Sequence, residues 1–338
     1  MVEHSTSDNF EFVRKFSYRD YQGGRTSRLS RIFSLATFEM INTWKKSTIG
    51  KIVLGVVVFL TVFGAMVAVP SQSALMNQLN PSDKREFVLQ TIFKQCVDYL
   101  SISSETPILP SDNVLVSFSF NIGFLVIALL SIAGSGFFAD DKQGKVIEIY
   151  LSRMRRGDYT IGKLVGMFLY CNLFITLPFM IISIWYVQGL GQNQLDFLMI
   201  YVALGIAGAM ISAIFTIFTL LLSSLVEKRA YASLSFFIGF ILFDSLSQNL
   251  YRSDQSNQLL LLVVPSYVIA LLIYTLGGDM NLGLREGGVF SNAPITPLNL
   301  NDGIGLEWWH VLAVVIVVFL VGFFLLLFKI HRLTTNEL

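Results

Sequence analysis

Long uncharged stretches recur along this 338-residue chain, separated by shorter polar segments. Several reach or approach the ~20 residues with which an α-helix crosses ~30 Å of hydrocarbon. Pro178 lies inside one of them, where a membrane helix tolerates a proline if neighbouring groups hydrogen-bond the carbonyl group that it frees. The pattern predicts six membrane-spanning helices, over residues 52–69, 114–138, 164–187, 197–226, 230–249 and 311–328.

The basic residues predict how these helices are oriented, because Lys and Arg favour the cytoplasmic side of a membrane. With the N-terminus inside, 19 of the 24 basic residues fall on inner segments, and this distribution requires an even number of crossings. A seventh apolar stretch, 259–276, is interrupted by Pro265. We therefore predict that 259–276 is a re-entrant or interfacial hairpin that starts and ends outside, and that the alternative, a seventh crossing, does not apply.

The N-terminal region is polar and basic, with no secretory signal ahead of the first apolar stretch. We expect residues 1–24 to be disordered. Residues 25–51 show helical periodicity, and their apolar positions are flanked by Arg and Lys. This predicts an amphipathic helix in the cytoplasmic membrane interface, with a solvated helix packed on a partner protein as the alternative. The apolar positions are Leu29, Ile32, Phe33, Ala36, Met40 and Trp44.

Composition agrees with a membrane protein. Hydrophobic residues make up 54% of the chain and charged residues only 14%, which is more apolar surface than a water-soluble core of this size can hide. A net charge of +1 argues against nucleic acid as a partner. The histidines and cysteines are scattered, so neither a metal site nor a disulfide framework is predicted.

The polar segment 139–163, between the second and third apolar stretches, carries the most specific pattern. Val146, Ile149 and Tyr150 share one helical face, and Gly144 and Gly157 lie towards the ends of the pattern. A short helix here would lie across the membrane surface with charge at both ends. That shape suits a lever on a cytoplasmic partner, and an ordinary basic inner loop is the alternative.

This segment resembles the signature of ABC-2 type permeases, the membrane subunits of a large class of ABC exporters. The matching residues are Asp140-Asp141, Gly144, Glu148-Ile149-Tyr150-Leu151-Ser152-Arg153 and Gly162-Lys163. Upstream, Phe38-Glu39 and Trp44-Lys45-Lys46 resemble the connecting helix of the family, and Pro265-Ser266-Tyr267 resembles its extracellular re-entrant element. The chain departs from the family pattern at Val146 and Met154, where Thr and Pro are usual.

The resemblance implies an all-α integral membrane protein of the ABC-2, or type V exporter, kind. It would have six transmembrane helices, an N-terminal connecting helix at 25–51, a cytoplasmic coupling helix and an extracellular re-entrant segment. The protein would lie in the cell membrane as a multi-pass chain with both termini cytoplasmic, and residues 330–338 would form the tail.

The resemblance also implies partners. Two permease subunits, identical or related, would pair in the lipid bilayer, each on an ABC ATP-binding subunit, and substrate would move outward. ATP and Mg²⁺ would be used by that ATPase, since this chain has no phosphate-binding motif and is predicted to bind no cofactor and to be no enzyme. The residues implied in coupling are Asp140, Asp141, Gly144, Glu148, Ser152, Arg153, Arg155, Arg156 and Lys163, with Glu39, Trp44, Lys45 and Lys46 on the connecting helix.

Polar and small residues inside the spans are candidate pathway or dimer-interface positions. In lipid, a helix face of small and polar groups marks close helix packing or a hydrated path, and both readings stay open here. Asp244 must face protein or water if it lies at membrane depth, whereas at the outer interface its exposure is cheap. The candidates are Ser117, Asn121, Ser131 and Ser135 on the second span, and Asp244 and Gln248 on the fifth.

Two other classes of protein compete with a transporter subunit. One is a structural or accessory subunit of a larger membrane complex. The other is a membrane-embedded lipid-modifying enzyme, which usually shows charged or His-rich motifs at a membrane face. The sequence shows no such motif, and no nucleophile with a nearby histidine predicts a catalytic site.

Overall fold

A computed structural model describes residues 27–46, 48–77, 81–100, 122–144, 154–253 and 308–335, with isolated positions between 147 and 150 and between 262 and 273. Every regular element in these residues is helical. The helices are α1 Arg28–Lys46, α2 Thr48–Met76, α3 Pro81–Leu100, α4 Gly123–Gln143, α5 Arg156–Phe174, α6 Thr176–Gly189, α7 Leu198–Leu225, α8 Arg229–Ser253 and α9 Trp308–Thr335, with a 3₁₀ turn at Gln194–Phe197.

Most of these helices are membrane-spanning in length and composition. Five segments are candidate membrane spans. The number is six if α1 and the start of α2, which meet at an angle of 83°, are counted together as one broken span. The protein is therefore an all-α membrane protein with several crossings, as the hydropathy pattern predicts. The five segments are Gly123–Gln143, Arg156–Gly189, Gln194–Leu225, Arg229–Leu250 and Trp309–Ile330.

The helices extend beyond the apolar stretches that predict them. α4 continues through Asp140, Asp141 and Lys142 to Gln143, past the predicted end of the second span at residue 138. α9 likewise continues to Thr335, into the predicted tail. Hydropathy marks the part of a helix that lies in hydrocarbon, whereas the backbone hydrogen bonds carry the helix on into the interface. The polar segment between α4 and α5 is consequently shorter than 139–163, and it runs from Gly144 to Arg155.

The predicted third span is two helices. α5 and α6 meet at Ile175, three residues before Pro178, where the backbone leaves regular helical geometry (φ −116°, ψ −62°). Pro178 cannot donate a backbone hydrogen bond, and its ring displaces the carbonyl group one turn earlier. The break therefore follows directly from the sequence.

The predicted outer segment 70–113 contains a helix that the sequence reading missed. α3 is strongly buried along one face, with Val88, Ile92, Phe93 and Cys96 each at 0% exposure. It packs against α6 and α4 and is part of the core. These apolar residues recur at helical spacing, so a periodicity search over 81–100 could have found it.

α7 is the central helix of the described bundle, since it contacts α4, α5, α6, α8 and α9. Glycines allow the close approaches. A Cβ at Gly134 would lie 2.7 Å from Cβ of Thr219, and one at Gly208 would lie 2.9 Å from Cα of Thr176. Gly208 therefore packs helix against helix, which is the role that small residues play in membrane bundles.

Candidate functional site

The end of the bundle that the sequence predicts to be cytoplasmic, called the inner end below, is where the last turn of α4 meets the first turns of α5 and α8 and the last turn of α7. Ser223 of α7 inserts its hydroxyl into the backbone of α4, donating to the carbonyl oxygen of Ser135 at 2.7 Å and accepting from the N–H groups of Phe138 and Ala139. Lys142 also binds the carbonyl oxygen of Ser224. These bonds fix the end of α4 against α7.

A buried ion network lies at this inner end. Nζ of Lys163 on α5 is 2.7 Å from Oε1 of Glu39 on α1 and 2.7 Å from Oδ2 of Asp141 on α4. The Lys163 side chain is 1% exposed and that of Glu39 is 8% exposed, so water contributes little to solvating either charge. Two carboxylates sharing one ammonium group join three helices at a single point.

Aromatic side chains complete the surroundings of Lys163. Its ammonium group lies 5.6 to 6.0 Å from the ring centroids of Phe137, Tyr150 and Tyr159, within the range of cation–π attraction. The Tyr159 hydroxyl donates to Oδ2 of Asp141 at 2.5 Å. Burial, followed by the charges of Glu39 and Asp141, raises the pKa of Tyr150 above its ordinary value.

Two glycines on α5 allow α1 to approach closely enough for the Glu39–Lys163 pair. A Cβ at Gly162 would lie 2.7 Å from the Leu35 side chain, and one at Gly166 would lie 3.0 Å from the backbone oxygen of Ala36. The Leu35 side chain could move aside for a Cβ at Gly162, whereas a Cβ at Gly166 would require the backbone of α1 to shift by a few tenths of an ångström. The Gly-Lys pair of the sequence pattern therefore has two structural roles, one for close packing and one for charge.

A second ion pair fastens the start of α1. Nε of Arg28 is 2.6 Å from Oδ1 of Asp158, which is itself buried in the first turn of α5. An acidic residue in that position also compensates the positive end of the helix dipole. α1 is therefore joined to α5 near both Arg28 and Glu39.

Arg229 links α8 to α4. Its guanidinium group donates to the carbonyl oxygen of Ile132 at 3.1 Å and lies 3.6 Å from Oδ2 of Asp140. A polar cavity of about 40 Å³ opens beside it. The cavity is lined by Glu39, Asn42, Thr43, Ala133, Gly136, Asp140, Asp141 and Arg229.

The other predicted coupling residues are spread over the same end. Gly144 ends α4, with its N–H bonded to the carbonyl oxygen of Asp140 at 2.9 Å. Arg155 is exposed immediately before α5, and Arg156 is half-buried in its first turn. Glu148, Ser152 and Arg153 lie outside the described residues.

The predicted connecting-helix residues lie on different sides of α1. Glu39 points into the ion network, whereas Trp44 is half-buried with its ring centroid 6.4 Å from that of Phe174. Lys45 is exposed, and the side chain of Lys46 lies outside what the structure describes. Of the connecting-helix residues whose side chains the structure describes, Glu39 alone takes part in the network.

The candidate pathway residues of α4 make contacts within the chain. Ser131 is 3.2 Å from the Ser233 hydroxyl of α8, and Ser135 binds Ser223 of α7 through its backbone. Both side chains are 2% exposed and belong to a helix-packing seam. Ser117 and Asn121 lie outside the described residues.

Asp244 is buried, at 3% exposure, and so is Gln248, at 8%. The Gln248 amide donates to Oδ2 of Asp244 at 2.8 Å. The protein itself therefore covers this carboxylate. In the part of the chain that the structure describes, no group of three His, Cys, Asp or Glu residues could hold a metal ion.

The reading of the sequence missed the role of Arg229 and of the serines at the end of α7. Arg229 is one of the few charged residues between two apolar stretches, where a basic residue indicates which side of the membrane the loop faces. Its contact with Asp140 joins residues distant in sequence, which periodicity does not reveal.

No protein-family model matches this chain, and no curated protein matches it either.

Proposed function

We propose that this chain is the membrane-spanning permease subunit of an ABC exporter, driven by ATP hydrolysis on a separate ATP-binding subunit. One observation carries the proposal. Glu39, Asp141 and Lys163, taken from three separate parts of the ABC-2 resemblance, meet in one buried ion network. Glu39 and Lys163 stand 124 positions apart in the sequence, so nothing local brings them together.

The network gives the 144–155 segment a rigid base. Asp141 precedes the segment on α4, and Lys163 follows it on α5, so a displacement of the segment acts on both helices together. Glu39 extends the connection to α1, which continues through the 83° bend into α2. ATP binding on a partner seated against this segment would thereby shift several spans as one body.

The exposed charge at the end of the segment suits contact with a cytoplasmic protein. Arg155, the last residue of the 144–155 segment, is exposed, and Arg156, the first residue of α5, is half-exposed. The ATP-binding subunit would hold ATP and Mg²⁺, and a second permease subunit, identical or related, would complete the transporter. The N- and C-termini then face the cytoplasm of the cell, and the substrate moves outward.

The test is purification of the full-length chain from its native membranes in a mild detergent, followed by identification of bound proteins and measurement of ATPase activity. A nucleotide-hydrolysing subunit is expected to co-purify. Replacing Arg155→Glu together with Arg156→Glu should reduce the bound ATPase about tenfold, which corresponds to ~1.4 kcal/mol of binding free energy.

Lys228→Glu is the matched control, because Lys228 is an exposed cation at the inner end but outside the 144–155 segment. This variant should retain the unmodified amount of ATPase. The transporter assignment is overturned if no ATPase accompanies the unmodified chain. A structural subunit would give a stable complex whose composition does not depend on Arg155 and Arg156.

A further inference from the structure

α3 runs from the outer end of the bundle, opposite the inner end, towards its middle. Only four residues separate the start of α3 from the end of α2 at Met76, so α3 begins where α2 ends. The level of this outer end is marked by Gly189, the last residue of α6, where a Cβ would lie 2.8 Å from the Val69 side chain of α2. The far end of α3 lies much deeper, since the Tyr99 hydroxyl binds the carbonyl oxygen of Phe174.

The position of Phe174 along α5 and α6 gives this depth. Phe174 precedes Gly189 by 15 residues, which is roughly 22 Å along a helix. It follows Gly166, which packs on α1 at the inner end, by eight residues, or roughly 12 Å. Tyr99 therefore lies inside the ~30 Å of hydrocarbon that the spans cross. Lys94, five residues before Tyr99, lies roughly 7 Å closer to the outer end and is still at membrane depth.

One face of α3 is polar at this depth. Thr91, Lys94 and Gln95 are three and four positions apart, so they share one side of the helix. Thr91 is 1% exposed, whereas Lys94 and Gln95 are half-buried. The protein therefore covers this polar stripe only in part.

The polar stripe consists of donors without partners. Within the part of the chain that the structure describes, Thr91, Lys94 and Gln95 form no side-chain hydrogen bond and no ion pair. Lys163 at the inner end, by contrast, is held by two carboxylates. An unpaired ammonium group and a buried hydroxyl group without a partner are costly at membrane depth. An ammonium, a carboxamide and a hydroxyl group together suit the oxygen atoms of an anion.

Asp98 bounds the polar stripe at its deep end. It lies one turn below Lys94 and is 8% exposed. Both side chains are described, and no ion pair joins them, since the charge of Asp98 acts on Cys96 and Tyr186. Asp98 would repel an anion that went deeper. The Lys94 side chain points towards the start of its helix, which is the outer end, so an anion is held at the level of the stripe.

We infer that Thr91, Lys94 and Gln95 bind the phosphate headgroup of a membrane amphiphile, and that such an amphiphile is the transported substrate. The inference rests on the proposed function, whose substrate class it names. A free inorganic anion would have to leave water to reach this depth. An amphiphile brings its headgroup there while its apolar chain stays in lipid, and the partly open side of the stripe gives it access.

Binding is tested on the chain alone, in nanodiscs of phosphatidylcholine with a minor fraction of phosphatidylglycerol, by native mass spectrometry of the retained lipids. Phosphatidylglycerol should be retained in preference, and Lys94→Gln should weaken its binding about tenfold. Lys94→Arg keeps the charge and should keep the lipid. Arg85→Gln is the matched control, because Arg85 is an exposed cation on the opposite side of α3 and should not affect retention.

Two results of this measurement overturn the headgroup site. One is the absence of any preference for phosphatidylglycerol, and the other is an equal loss in Lys94→Gln and Arg85→Gln. Inorganic phosphate provides a further comparison. If it displaces phosphatidylglycerol from the chain at equal concentration, the site takes a free anion and the amphiphile is wrong.

The complete complex with its ATP-binding subunit tests the role as substrate. Phosphatidylglycerol should raise its rate of ATP hydrolysis severalfold, and Lys94→Gln should abolish this stimulation. Lipid retention with an unchanged rate would mean an ordinary bound lipid, which overturns the substrate class and leaves the proposed function standing. If no ATPase joins the chain, the proposed function fails and the substrate class with it, whereas binding to the chain alone still decides the headgroup site.

Discussion

The Tyr99 hydroxyl donates a buried hydrogen bond of 2.8 Å to the carbonyl oxygen of Phe174. Phe174 lies four residues before Pro178, and its carbonyl group is the one that a regular helix would have bonded to the absent N–H of the proline. Tyr99 belongs to α3, so a separate helix supplies the missing donor. The ring of Tyr99 also packs edge-on against Phe179, at 6.1 Å between centroids.

We predict that Tyr99→Phe destabilises the chain by about 1–3 kcal/mol, because it leaves the Phe174 carbonyl oxygen buried without that donor. In a Pro178→Ala background, where the backbone N–H is restored, the same change should cost much less. Thermal unfolding of the four purified variants measures this coupling. An equal loss of stability in both backgrounds would show that the Tyr99 hydroxyl group does not compensate for the hydrogen bond that the proline removes. Tyr231→Phe, at an exposed site, should change little.

Lys163→Met should be among the most damaging single changes at the inner end. It leaves two carboxylates, the buried Glu39 and the partly buried Asp141, close together without their common cation, which costs about 3–5 kcal/mol. Adding Glu39→Gln should recover part of the loss, because one of the two like charges is then removed. The melting temperatures of the single and double variants measure this recovery. Lys45→Met, an exposed control, should stay within about 0.5 kcal/mol of the unmodified chain.

Gly166→Ala should separate α1 from α5. The added Cβ would lie 3.0 Å from the backbone oxygen of Ala36 and 3.3 Å from Cβ of Glu39, and a backbone cannot move aside as a flexible side chain can. We expect a loss of about 1–3 kcal/mol. Gly157→Ala has open space around it and should be neutral or slightly stabilising. Unfolding curves of equal midpoint for the two variants would contradict the close approach of α1.

Long apolar stretches predict helices because a bilayer requires a number of apolar residues that can be counted. α7 and α9 are examples, since Leu198–Leu225 and Trp308–Thr335 overlap the apolar stretches 197–226 and 311–328. Hydropathy alone does not predict α3, because its polar residues lower the mean hydropathy of a helix whose apolar face packs on other helices. Nor does hydropathy predict where α4 ends, since Asp140 and Lys142 remain helical beyond the end of the apolar stretch.

The candidate site was predictable as a set of residues but not as an arrangement. All three residues of the network, Glu39, Asp141 and Lys163, stand out in the sequence by their resemblance to a family pattern. Their meeting depends on the tertiary approach of α1 to α5, which Gly162 and Gly166 permit. The pairing of Arg229 with Asp140 is equally tertiary, so hydropathy and spacing contain no signal for it.

Replacing Asp244 should raise or lower the stability of the chain according to whether lipid or protein surrounds its carboxylate. A carboxylate facing lipid would be costly, so its removal would stabilise the chain. Asp244 is instead buried by protein and accepts from Gln248, so Asp244→Leu should destabilise the chain by about 1–3 kcal/mol and leave the Gln248 amide without this acceptor. The measurement is thermal unfolding in detergent and in nanodiscs, with Asn249→Leu as an exposed neighbouring control that should be neutral or stabilising. A rise in melting temperature for Asp244→Leu would mean that this side of α8 faces lipid. If the double variant Asp244→Leu, Gln248→Leu loses less stability than Asp244→Leu alone, the two side chains act as a pair.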